Sequence, residues 1–151
     1  MADSGKKLGL GPILMIVGAV LGVAGLVVML VCNAMGSDYE FSYSALLDAG
    51  AVAGAVLAVA AAVLPRTGAD KNGYLSLVAA VGSVFLYGYT AIQAVSGRIL
   101  VISALYTWNT GNTTGWTAFY FTIAVVACLA AGAVAEIVGA FMPSAGKASE
   151  A

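Results

Sequence analysis

Four long stretches of nearly uninterrupted apolar residues divide the chain: Leu10 to Asn33, Ala45 to Leu64, Tyr74 to Val95 and Thr117 to Met142. Each is close to the ~20 residues that an α-helix needs to cross hydrocarbon. In lipid the backbone must satisfy its hydrogen bonds within its own segment, and the alternating apolar and polar stretches of a barrel are missing, so four transmembrane helices are predicted. The expected fold is an all-α membrane protein, a four-transmembrane-helix bundle. It forms a single integral membrane domain over residues 1–151, with helices at about 10–33, 45–64, 74–95 and 117–142 and polar tails at 1–8 and 143–151.

Between the helices the pattern changes. "YEFSYS" in the first connection, Tyr39 to Ser44, alternates like a short strand, while Arg98 to Tyr106 either extends the third helix or lies flat at the interface. Together they predict a small extracellular cap from the first and third loops. Tyr106, Trp108, Trp116 and Tyr120 fall where an interfacial aromatic belt belongs. Asn109, Gly111, Asn112 and Gly115 suit a tight turn, since Gly and Asn tolerate left-handed backbone, so a hairpin tip is expected there. Asn112-Thr113-Thr114 is formally an N-glycosylation sequon. Four helices under an outer cap are similar to the claudin-like topology, but this first loop has neither the tryptophan nor the paired cysteines of that family's signature, and no family is assigned.

Composition sharpens the class. Hydrophobic residues make up 62% of the chain and charged residues 9%, with a mean hydropathy of +1.00. The net charge of -1 comes from a few charges in short polar stretches, so there is no basic face and no nucleic-acid partner is expected. Histidine is absent, which removes the commonest metal ligand and the usual general base near neutral pH. The chain is therefore expected to be no enzyme and to carry no cofactor. Lys6, Lys7, Arg66, Lys71 and Lys147 sit at the tails and second loop, with only Arg98 opposing them. This asymmetry predicts a multi-pass protein of the cell membrane with both termini cytoplasmic. The first stretch exceeds the ~7–15 residues of a signal-peptide core and lacks an A-x-A site, so it is expected to remain in the mature chain. "MLVC" resembles a lipoprotein cleavage box at Cys32, but bulky Val31 stands where that box requires a small residue.

Candidate chemistry is sparse. Gly11, Gly18, Gly22 and Gly25 draw one small-residue stripe along the first helix, and Gly50 and Gly54 another on the second. Such stripes let helices approach closely, within one bundle or between copies. Cys32 lies near one end of its helix and Cys128 about eleven residues into the fourth, roughly 16 Å deep at ~1.5 Å per residue, so no disulfide is expected. Asp38, Glu40 and Asp48 share a side with Arg98. A surface salt bridge is expected there, with Asp48 at a helix start also meeting the positive end of its dipole. Glu136 is the one acid well inside an apolar stretch, a costly position that marks a functional hypothesis. It shares a face with Cys128, Gly132 and Gly139 and is expected to point into protein, with Arg66 or Lys71 as its possible ion-pair partners. Gln93, Tyr87 and Tyr89 are further polar groups on the third helix. The leading expectation is an accessory or scaffold subunit that packs against another membrane protein or itself, with the bilayer as its other partner. The alternative is a small oligomeric transporter or channel using Glu136 and Gln93.

Overall fold

The computed structural model describes residues 8–143. Lys6, Lys7 and Lys147 and most of both tails lie outside the described residues. The described residues fold as five α-helices: α1 (Leu10–Asn33), α2 (Ser44–Thr67), α3 (Tyr74–Ser96), α4 (Ile99–Thr107) and α5 (Thr113–Ala140). Four of them, all but α4, are long and apolar enough to cross a membrane. α1 and α3 each pack against both α2 and α5, so the four long helices close a ring in the order α1, α2, α3, α5. α4 rests on α5.

Local chemistry explains the ends of these helices. α1 tolerates Pro12 because the first turn has no intrahelical acceptor for that missing N–H. Pro65 near the end of α2 removes the bond that would reach the Ala61 carbonyl four residues back. Ser76 of α3 supplies the lost donor, its hydroxyl lying 2.8 Å from that same carbonyl oxygen. α2 closes on Gly68 with φ 72°, and Gly73 opens α3 with φ 74°, left-handed conformations that glycine adopts without strain. Asp70 caps α3 by accepting from the Ser76 N–H at 2.8 Å.

The loop expectations are corrected in part. Among the described residues there is no strand: the stretch Tyr39 to Ser44, read as an alternating strand, leaves the end of a 3-10 turn, Ser37–Tyr39, and runs as irregular chain into α2. Its conformation is set by bonds to the helix ends, described below, and not by pairing with the third loop. Of the two alternatives for the segment after Arg98, extension of α3 is ruled out: α3 ends at Ser96 and the segment is the separate helix α4, with Leu105 buried and Leu100 exposed. The expected tight turn is present, closed by the Asn112 N–H donating to the Asn109 carbonyl at 3.2 Å, but the helix after it starts sooner: Asn112 accepts from the Gly115 N–H at 3.0 Å and caps α5 four residues earlier than predicted. None of Asn109, Gly111, Asn112 and Gly115 has positive φ.

The core has two parts. Small residues, Ala61, Ala62, Ala79 and Ala80, pack with Met15 at the Gly11 end. Larger ones, among them Met29, Phe41, Leu47, Val125 and Leu129, pack with Tyr87 toward the Arg98 end.

Candidate functional site

The inward face of α3 is polar through its middle. Ser83, Tyr87 and Thr90 follow one another at spacings of four and three, which places them on one side of a helix, and all three are buried. Glu136 on α5 faces them and has no exposed surface. The Tyr87 hydroxyl donates to the Gly18 carbonyl at 3.2 Å, and Ser83 donates to the Gly54 carbonyl at 2.7 Å. Ser83 stands beside the Glu136 carboxyl, but its single proton goes to Gly54, and neither carboxyl oxygen has a hydrogen-bond partner. The Thr90 hydroxyl also lacks one.

The glycines singled out in the sequence surround these groups. A Cβ added at Gly18 would lie 2.6 Å from Glu136 Cγ, and one at Gly54 2.5 Å from the Tyr87 ring. At Gly22 it would overlap the Tyr87 hydroxyl, and at Gly132 it would come within 3.2 Å of the same ring. One at Gly50 would lie 2.5 Å from Thr90 Oγ1. Gly11 and Gly139 meet backbone to backbone, and a Cβ added at Gly25 would only reach ordinary contact with Leu129. Both stripes are thus used inside one bundle, where the absent side chains make room for Tyr87, Thr90 and Glu136.

Arg98 is the second buried charge. It is 3% exposed, and one guanidinium nitrogen donates to the Tyr39 carbonyl and to Cys32 Sγ, the latter at 3.3 Å. Its guanidinium carbon stands 4.0 Å from the centre of the Phe41 ring, a cation–π contact. Burial pulls the guanidinium below its ordinary pKa, while Cys32 opposes that shift. The Phe41 N–H donates to Asn33 Oδ1 at 3.0 Å, and Asn112 Nδ2 donates to the Tyr39 hydroxyl at 3.0 Å. Three side chains from separate parts of the chain therefore hold the first loop against the end of the bundle. The sequon nitrogen is one of them, engaged within the fold.

Several expectations about polar pairs change. Arg98 makes no salt bridge to Asp38, Glu40 or Asp48; it faces neutral acceptors and an aromatic ring. Asp48 is not in the first turn of α2, which contains no acid, and its buried Oδ1 has no partner. Glu136 pairs with neither Arg66 nor Lys71, because its carboxyl turns inward to Gly18 while both basic residues are exposed. Gln93 is half-buried and is not gathered with Glu136: Ser83 is the α3 residue beside that carboxyl, ten positions or about 15 Å of helix away. Cys32 and Cys128 are free. Among the described residues no three His, Cys, Asp or Glu side chains gather as a metal site.

Sequence reasoning missed Ser83 and Thr90. Their spacing with Tyr87 was the available signal, a polar stripe on a helix whose other faces are apolar. No protein-family model matches the chain, and no curated protein or solved structure shows significant similarity to it.

Proposed function

We propose that the chain is a non-enzymatic, multi-pass integral protein of the cell membrane, with the Gly11 end of its bundle cytoplasmic, that acts as an accessory or scaffold subunit in a membrane assembly. The supporting observation is the filled interior. Tyr87 stands where Gly22, Gly54 and Gly132 converge, and a methyl added at Gly22 or Gly54 would collide with it, which argues against a solute route past that ring through a single bundle. With the glycine stripes spent internally, association falls to the outward apolar side chains. The excess of basic residues at the Gly11 end supports the orientation.

The test is the mass and composition of the particle extracted in mild detergent after cross-linking in cells. A second membrane protein at fixed stoichiometry, or a defined oligomer, is expected; a lone monomer would refute the reading. Orientation is checked by labelling Ser37→Cys and Thr67→Cys in sealed cells. Only Ser37→Cys should react from outside.

Transport by an oligomer has one observation in its favour, the unpartnered carboxyl of Glu136. Cation- or proton-dependent flux in proteoliposomes, lost in Glu136→Gln, would replace the accessory reading. The separation of Gln93 from Glu136 removes the shared pathway first expected of them.

A further inference from the structure

The Glu136 carboxyl sits where three helices meet, with Gly18 of α1 against it and Ser83 and Tyr87 of α3 beside it. It has no exposed surface, and neither of its oxygens has a hydrogen-bond partner. The hydroxyls around it have no proton to offer: Ser83 donates to the Gly54 carbonyl at 2.7 Å, Tyr87 donates to the Gly18 carbonyl at 3.2 Å, and each hydroxyl carries one proton. What both can still present to the carboxyl is a lone pair. Gly18 lies within α1, so its N–H is bonded along its own helix.

No cation among the described residues answers it either. The helices packed on α5 are α1, α3 and α4. The one titratable side chain of α1 is Cys32, held in the Arg98 contact at the far end; on α3, Tyr74 and Tyr89 are exposed and Tyr87 alone faces inward; on α4, Tyr106 is exposed. On α5 itself Tyr120 is exposed and Cys128 lies eight residues, about 12 Å, along the helix. Arg66 and Lys71 are exposed. An ionised carboxylate in this place would meet lone pairs and glycine backbone without one donor, and a buried acid so placed neutralises instead. A carboxyl that keeps its proton supplies the donor that the cluster lacks. We propose that Glu136 is a proton-binding site, neutral in the folded bundle, and that release of this proton loosens the packing of α5 against α1 and α3. The anion left behind is stabilised by water, and a carboxyl with no exposed surface meets water only when its surroundings give way. The site is complete within one chain, so it holds whether that chain works alone or as a subunit.

Infrared spectroscopy of the full chain, with isotope-labelled glutamate and in neutral detergent, is the test. At about pH 6, well above the ~4.3 at which an exposed glutamate ionises, the wild type should show the carbonyl stretch of a protonated carboxylic acid. The band should vanish in Glu136→Gln, where glutamine supplies N–H donors in place of the O–H. It should persist in Glu40→Gln/Glu150→Gln, whose only glutamate is Glu136, which leaves the assignment testable if Glu136→Gln fails to fold. Because the folded bundle holds a proton that the unfolded chain releases, thermal stability of the wild type should fall as the pH rises from about 6 to about 8, and Glu136→Gln should lack that fall. No band in the wild type or in the double variant would overturn the proposal. So would a band that survives in Glu136→Gln, or a loss of stability with pH as steep there as in the wild type.

Discussion

Among the described residues each half of the bundle buries one acidic or basic side chain, and the two halves treat it differently. At one end Arg98 meets a carbonyl, a thiol sulfur and an aromatic face, though its buried Nε has no partner. Toward the other, Glu136 meets glycine backbone and a serine whose proton is already committed. Burial alone therefore does not distinguish a structural charge from a candidate site; the partners do. Arg98 closes the fold by holding a loop, whereas Glu136 is buried at a cost that no neighbour offsets.

Removing Arg98 should have the largest effect. Arg98→Leu leaves the Tyr39 carbonyl and the Phe41 ring without their cation, and a loss of about 3 kcal/mol is expected from broken bonds to a charged group. Thermal unfolding in detergent measures it, and maleimide should then reach Cys32, which the wild type shields. A stable, unreactive variant would show that the loop is held by other means.

Next comes the packing around Tyr87. Gly22→Ala places a methyl on the Tyr87 hydroxyl and should cost about 1–3 kcal/mol by overpacking. Tyr87→Phe alone gives up the bond to Gly18 and should cost about 1 kcal/mol. Combined, they should cost less than their sum, since Phe has no hydroxyl to collide with; strict additivity in the double-mutant cycle would place the strain elsewhere.

The smallest loss is expected at Glu136. Glu136→Gln breaks no hydrogen bond and relieves a buried carboxyl that no partner answers, so stability should stay the same or rise. A loss as large as that of Arg98→Leu would mean that the carboxylate is structurally paired, and the contrast between the two ends would fail.

The long apolar helices were legible because hydrocarbon thickness imposes length and composition directly on the residues within each of them. The loops were not. The path of the first loop depends on Arg98 and Asn112, both more than fifty residues further along the chain, and alternation within "YEFSYS" carries no trace of them. The start of α5 was misplaced because Asn112 was read for its tolerance of left-handed backbone, whereas its carbonyl oxygen serves as a cap. At the site, Glu136 stood out by its charge, and its inward direction followed from the glycines sharing its face. Its isolation did not: Arg66 and Lys71 are near in composition and far in direction. Ser76 answering the carbonyl freed by Pro65 is equally invisible in one dimension, since it joins the end of one helix to the start of the next.

One contact also bears on how the chain could be rewired. The Gly11 N–H donates to the Pro143 carbonyl at 3.3 Å, so the start of α1 and the end of α5 are clasped at the same end of the bundle as the Gly68–Gly73 turn. A short linker from Pro143 to Gly11, with the chain reopened between Gly68 and Gly73, would give a circular permutant beginning with α3 and ending with α2. It keeps an even number of crossings and every helix neighbour, and it separates the order of membrane insertion from the final packing.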